Sequence, residues 1–261
     1  MRAMNTAATG MMAQQTNVEV ISNNIANQNT TGFKTQRAEF QDLLYQTARR
    51  GGATSSDTGT IVPEGVQVGL GVKTAAVNRI NTQGNLLQTS NPLDLAIQGR
   101  GFFQILQPDG TTAYTRDGSF ALSPTGEIVT ADGFVVHPGI TIPQNTLSIT
   151  INSSGQVQAL VAGQNTPQIV GQLQLANFPN EAGLEALGNN LLLETPASGQ
   201  PTVGNPGVTG FGTLNQGMLE SSNVDIVSEI TNLITAQRAY EMNSKVIQST
   251  DQMLQTLNQI Q

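Results

Sequence analysis

Apolar residues recur in alternating steps of three and four at both ends of this chain, with a long turn-rich, strand-like stretch between them. In the first segment Met4, Ala7, Met11, Gln14, Val18, Ile21 and Ile25 hold that spacing. In the last, Ile226, Leu233, Tyr240, Ile247 and Leu254 repeat at sevens, broadened by Val227, Ile230, Ile234, Val246, Met253 and Leu257. Such a period keeps one apolar seam on a helix face, the condition for coiled-coil or bundle packing. A seam on a terminal helix needs cover. The other terminus is the first available partner, and neighbouring copies of the chain are the next. Gln237, Ser244 and Asp251 lie near the seam's edge, which favours packing among several helices over a simple dimer.

The first helix is predicted from about Ala3 to Asn27, where Asn27, Asn29, Thr30, Thr31 and Gly32 stop it. Phe40, Leu43, Leu44 and Thr47 fit helical spacing and predict a second, short helix. Residues 51 to 71 change character to Gly, Ser, Thr and Pro, the composition of a flexible linker or of an extended arm ordered by a neighbour. Alternation in Val66, Val68 and Leu70 predicts a strand at its end. From Val72 to about Gly217 the pattern is β, with short runs such as Phe102–Ile105 and Leu147–Ile151 bounded by turn residues. Asp109-Gly110, Asp117-Gly118, Thr125-Gly126 and Asp132-Gly133 suit tight hairpins, because Gly and Asp tolerate positive φ. An antiparallel meander in a small barrel or sandwich is expected. Pro196 to Phe211 reads as a loop. The final helix is predicted to start at Ser222 or Asn223, with Ser222 and Asp225 as a capping box, and to run to about Asn258.

The expected fold class is therefore α+β. Long N- and C-terminal helices (residues 1–31 and 222–261) form a coiled-coil-like terminal domain. A connecting region with an extended arm (32–71) and a central antiparallel all-β domain (72–221) complete it.

Composition narrows the function. Charged residues are 11% of the 261, against roughly 25% in ordinary soluble domains. Such a weakly charged surface, rich in amides and hydroxyls, is compatible with packing against like subunits. A formal net charge of −7 argues against nucleic acid or anionic lipid as partner, since both require a basic footprint. There is no cysteine, hence no disulfide or thiolate metal site. No run approaches the roughly twenty apolar residues of a membrane span, so no membrane insertion is expected. Met1 to Gln15 lacks the continuous apolar core of a secretory signal.

Catalytic constellations are poor. His137 is the single histidine, lies beside Pro138, and reads as structural. Asp109, Asp117 and Asp132 each precede Gly, so turn chemistry accounts for them without calcium-loop spacing. Gly99-Arg100-Gly101 and Gly69-Leu70-Gly71 lack a phosphate-cradling pattern. No catalytic, cofactor or metal site is expected, and the chain is not expected to be an enzyme.

The sharpest local string is Ile21-Ser22-Asn23-Asn24-Ile25-Ala26-Asn27, followed by Thr31-Gly32-Phe33-Lys34. It resembles the signature of the bacterial flagellar rod and hook family, carried here by Asn23, Asn24, Ala26, Asn27, Gly32, Phe33 and Lys34. The resemblance extends to Ala38–Gln46, Gln83–Leu86, Asp94–Gly99, Gly101–Phe103, Ala113–Phe120, Glu220–Val224 and Gln237–Lys245, nearly the whole chain. Within the family these strings look like distal-rod subunits, and residues 45 to 63 look like the insertion that separates distal rod from hook. Asn5 replaces the usual large apolar residue, and Thr35 follows Lys34 where a basic residue is common.

This resemblance implies a structural subunit that self-assembles into a rigid, hollow helical drive shaft carrying motor torque to the hook. Its implied subunit-interface residues are Met4, Met11, Val18, Ile21, Ile25, Ile226, Ile230, Leu233, Tyr240, Ile247 and Leu254. The implied partners are further copies of the chain in a helical homopolymer, proximal rod and hook proteins, and the surrounding P- and L-ring proteins. The implied location is the basal body, spanning the periplasm, reached by type III export without a cleaved leader. A hook or proximal-rod subunit is the neighbouring alternative. A peptidoglycan hydrolase, needing paired carboxylates in one cleft, and a secreted adhesin are the alternatives of other classes.

Overall fold

The structure is a computed structural model that describes residues 2–49, 64–164 and 166–260. It divides into two units: residues 1–26, 36–78 and 225–261 form one, and residues 27–35 with 79–224 form the other.

In the first unit, helix α1 (Arg2–Ala26) packs against helix α2 (Ile226–Ile260). At 1.5 Å per residue they are about 38 and 52 Å long. α1 stops at the polar run beginning with Asn27, as the sequence predicts. α2 starts later than predicted, because Asp225 rather than Ser222 is its cap. The Asp225 carboxylate accepts from the Val227 N–H (3.1 Å) and the Ser228 hydroxyl (2.9 Å). Its carbonyl accepts from the Glu229 N–H. Ser222 instead bonds the Val224 N–H two residues on, a local turn that competes with the helix.

The short helix expected over residues 37–47 is absent. That stretch forms two strands, Gln36–Asp42 beside Val72–Arg79 and Tyr45–Arg49 beside Val66–Gly69. The second pair is antiparallel, with Tyr45 opposite Gly69 and Gln46 opposite Val68. Neither Gln36–Asp42 nor Tyr45–Arg49 contains a fully buried residue, so burial gives this stretch little preference for a helix. Cross-strand pairing with the valine-bearing partners decides the conformation instead. The predicted strand through Val66 and Val68 is present. The rest of the 51–71 arm, residues 51 to 63, lies outside the described residues.

The second unit is antiparallel β. A nine-stranded sheet follows an open order through Glu185–Gly188, Leu191–Leu193, Thr112–Thr115, Phe102–Leu106, Val135–Val136, Ile128–Val129 and Ala121–Leu122. Leu175–Asn177 joins it along Phe102–Leu106 and carries Thr202–Gly204. A three-stranded sheet (Thr146–Ile151, Gln156–Val161, Gln168–Gln172) and two ribbons, Thr213–Gln216 with Leu95–Gln98 and Met218–Glu220 with Leu86–Gln88, complete it. The sheets meet in one core: Leu95, Ile97, Phe103, Ile105, Ile128, Ile151, Val157 and Leu214 share a cluster. Alternation along Phe102–Leu106 sends Phe103 and Ile105 into that cluster and Phe102 into a smaller one with Tyr114, Phe178 and Leu184. Edge-to-face contacts, Phe103 on Phe120 and Tyr114 on Phe178, lock both.

Three of the four Xaa-Gly pairs are turns with positive φ at Gly110, Gly126 and Gly133. Gly118 is different. A Cβ there would lie 1.6 Å from the Leu95 carbonyl oxygen, so glycine permits two backbones to touch. The preceding Asp117 folds its carboxylate onto the Ser119 N–H and hydroxyl.

Candidate functional site

Long helices built from both ends of the chain, and the polar residues just beyond them, hold the residues that the sequence singles out. On α1, the buried positions are Ala7, Ala13, Val20, Ile21 and Asn24. Four of these five are aliphatic, and two are alanines, so α2 approaches closely. At Gly10 a Cβ would sit 2.9 Å from the Asn243 amide nitrogen. Asn24 is 1% exposed and ties three elements of this unit together. Its amide donates to the Gln36 carbonyl (2.8 Å) and to Glu229 on α2 (3.3 Å), and its oxygen accepts the Gln36 N–H (2.9 Å).

Glu229 and Asn243 thus mark the side of α2 that faces α1. Leu233, Ala236 and Ile247 follow on that side in steps of three and four. The opposite side carries Val227, Ile230, Ile234, Met242, Val246 and Met253, all exposed. Val227 is 75% exposed and Met242 67%. Val227, Ile230 and Ile234 cluster on the N-terminal half of α2 and Met242, Val246 and Met253 on its C-terminal half, offset by about 100° around the helix with exposed Arg238 and Lys245 between them. Gln15, Val18 and Glu19 of α1 and Gln237, Tyr240 and Glu241 of α2 line an open cleft of about 340 Å³.

The predicted interface residues divide between the two sides. Ile21 is buried; Met4, Met11, Val18, Ile25, Leu233, Ile247 and Leu254 are half-buried; Ile226, Ile230 and Tyr240 are exposed. Of the signature residues on α1, Asn24 is enclosed while Asn23 and Ala26 are exposed.

The remaining signature residues belong to the second unit. Asn27, Gly32 and Phe33 are half-buried and Lys34 is buried. The Lys34 ammonium pairs with Glu220 and donates to the Thr82 carbonyl (2.9 Å). Glu220, whose side chain is 0% exposed, also takes Arg116 (3.4 Å) and the Gly84 N–H (2.9 Å). The Arg116 guanidinium bonds the Gly99 carbonyl and lies 5.2 Å over the Phe102 ring. Burial pulls both cations below their ordinary pKa, and the Glu220 carboxylate opposes that pull. Next to this cluster Asn223 laces the chain. Its oxygen accepts from the Thr35 N–H (2.7 Å) and hydroxyl (2.6 Å), and its amide donates to the Ile80 and Thr82 carbonyls. The Thr35 hydroxyl therefore has a bonded role.

Sequence reasoning quoted Lys34, Arg116 and Glu220 inside motif strings without joining them. The available signal was scarcity: in a chain with so few charges, a charge embedded in a motif has a specific partner. Among the described residues, no group of three His, Asp or Glu side chains has metal-binding proximity.

The sequence of this chain matches three flagellar family models. Residues 4–34 match the flagella basal body rod protein model, 96–159 the flagellar hook protein FlgE/F/G D1 domain, and 215–260 the flagellar basal body rod FlgEFG protein C-terminal region. The flagellar basal-body rod protein FlgG of Caulobacter vibrioides is 65% identical over 260 residues, covering 100% of this chain and 99% of its own. That of Agrobacterium fabrum is 57% identical, covering 97% of each chain. That of Borreliella burgdorferi is 50% identical, covering 100% of this chain and 98% of its own. The chain belongs to the flagellar basal-body rod protein family.

Proposed function

We propose that this chain is a structural subunit of the flagellar distal rod, which self-assembles into a rigid, hollow helical shaft and transmits motor torque to the hook. The observation that carries this reading is the exposed apolar side of α2, opposite the face that α1 already covers. Exposed apolar clusters on a helix already packed against α1 suit being covered by equivalent helices of neighbouring copies. Repetition of a head-to-tail contact that does not close generates an open helical filament, the geometry of a shaft.

In that filament Ile230 meets neighbouring copies directly, while Ile226 and Tyr240 border the seam between α1 and α2. Met4, Met11, Val18, Ile21, Ile25, Leu233, Ile247 and Leu254 hold the helix pair in register beneath them. Residues 51 to 71 bridge successive subunits, and the central β domain (residues 72–221 in this division) makes the outer contacts. The shaft's ends join proximal rod and hook proteins, and P- and L-ring proteins surround it. The subunit resides in the basal body across the periplasm. The work is mechanical, with no chemical step assigned to any residue.

Ile234→Asp tests this reading, because Ile234 is 47% exposed and lies away from α1. The variant is expected to keep the parent's unfolding midpoint as a monomer and to form no filaments by sedimentation or electron microscopy. Filaments of parental yield and length would overturn the assignment of this face.

A further inference from the structure

We propose that Met242 and Met253 on α2 are an oxidation-sensitive site at which conversion of thioether to sulfoxide switches off self-assembly. The inference rests on the rod-subunit reading above. The chain has seven methionines and no cysteine, so all of its oxidisable sulfur is thioether. That sulfur is unevenly placed. Met12, Met242 and Met253 are 68%, 67% and 61% exposed, while Met4, Met11 and Met218 are half-buried.

Met242 and Met253 are eleven residues apart, three turns at 3.6 residues per turn, so they lie on one line along α2. Val246 falls between them on the same line and is itself exposed. An oxidant therefore reaches two sulfurs in the C-terminal apolar cluster of α2, which on the rod-subunit reading neighbouring copies cover. Hydrogen peroxide is sufficient: the thioether sulfur takes one oxygen atom, the peroxide O–O bond breaks, and water leaves. The sulfur is oxidised by two electrons and the peroxide reduced by two. The product replaces a flexible apolar side chain with a polar S–O group, which is costly to bury in an apolar contact. Reduction by methionine sulfoxide reductases restores the thioether, so the change is reversible.

The test uses the full-length chain, hydrogen peroxide as oxidant, peptide mass spectrometry and a sedimentation assay for polymer. Met12, Met242 and Met253 are expected to gain oxygen before Met4, Met11 and Met218. The critical concentration for pelletable polymer is expected to rise about tenfold or more, the change in association constant equivalent to ~1.4 kcal/mol. Treatment with both reductases should restore the parental value. The triple variant M12L/M242L/M253L should polymerise equally with and without peroxide. Undiminished polymer from fully oxidised parent, or loss that persists in the triple variant, would overturn the inference. Val246→Asp serves as the control on the underlying reading. If that variant polymerises normally, the interface assignment itself falls; if it does not, failure of the oxidation arm counts against the switch alone.

Discussion

The two units of this chain treat large apolar side chains in opposite ways. In the β unit Phe102, Phe103, Phe178, Ile97, Ile105 and Leu175 are essentially sealed from solvent. In the helical unit, the buried hydrophobic residues are Ala7, Ala13, Val20, Ile21 and Ala236, while Val227, Ile230, Ile234, Met242, Val246 and Met253 stand exposed. One unit has completed its core within a single chain. The other has used small residues to bring two helices together and left the larger ones outside. Hydrophobic burial scales with the apolar area removed from water, so most of the stabilisation available to the helices is still unclaimed in the isolated chain. On the proposed reading, the β unit completes its core within one chain while the helices keep apolar surface for assembly.

Substitutions sharpen this contrast. Phe103→Ala removes a sealed ring that packs edge-on against Phe120, and should cost about 3–5 kcal/mol in denaturant unfolding of the β unit. A loss below ~1 kcal/mol there would erase the distinction between the units. Lys34→Met leaves Glu220 buried with Arg116 and one N–H, and should destabilise the same unit by about 3 kcal/mol. The smallest effect on the monomer belongs to the helices. Ile234→Ala, equal in chemistry to a core truncation, should change monomer stability by no more than about 0.5 kcal/mol. Its effect should show only in the critical concentration for assembly, measured by sedimentation.

The sequence anticipated the architecture because its strongest signals were periodic. Seven-residue spacing located both helices, and the end of α1 was marked by a polar run. What it missed was decided by competition between similar local signals. Ser222 and Asp225 both have cap chemistry, and only the geometry shows Asp225 bonding Val227. Residues 36–49 carry too few apolar side chains to choose between helix and strand, so the partners Val72–Arg79 and Val66–Gly69 choose for them. Gly118 looked like a hairpin residue, yet its need is set by Leu95, distant in sequence. The Lys34–Glu220–Arg116 cluster joins positions separated by as many as 186 residues, a relation that no local pattern encodes. The division of predicted interface residues between an inner and an outer side of α2 was likewise unreadable, since a broadened seam fits several rotations of the helix.

Amide hydrogen exchange on the dilute, unassembled chain probes this contrast directly, because protection reports the local free energy of opening. The account predicts that amides in Phe102–Leu106 and Leu175–Asn177 exchange orders of magnitude more slowly than those along α2, and that α2 gains protection when filaments form. Equal protection of α2 and the β core in the monomer, unchanged on assembly, would contradict it.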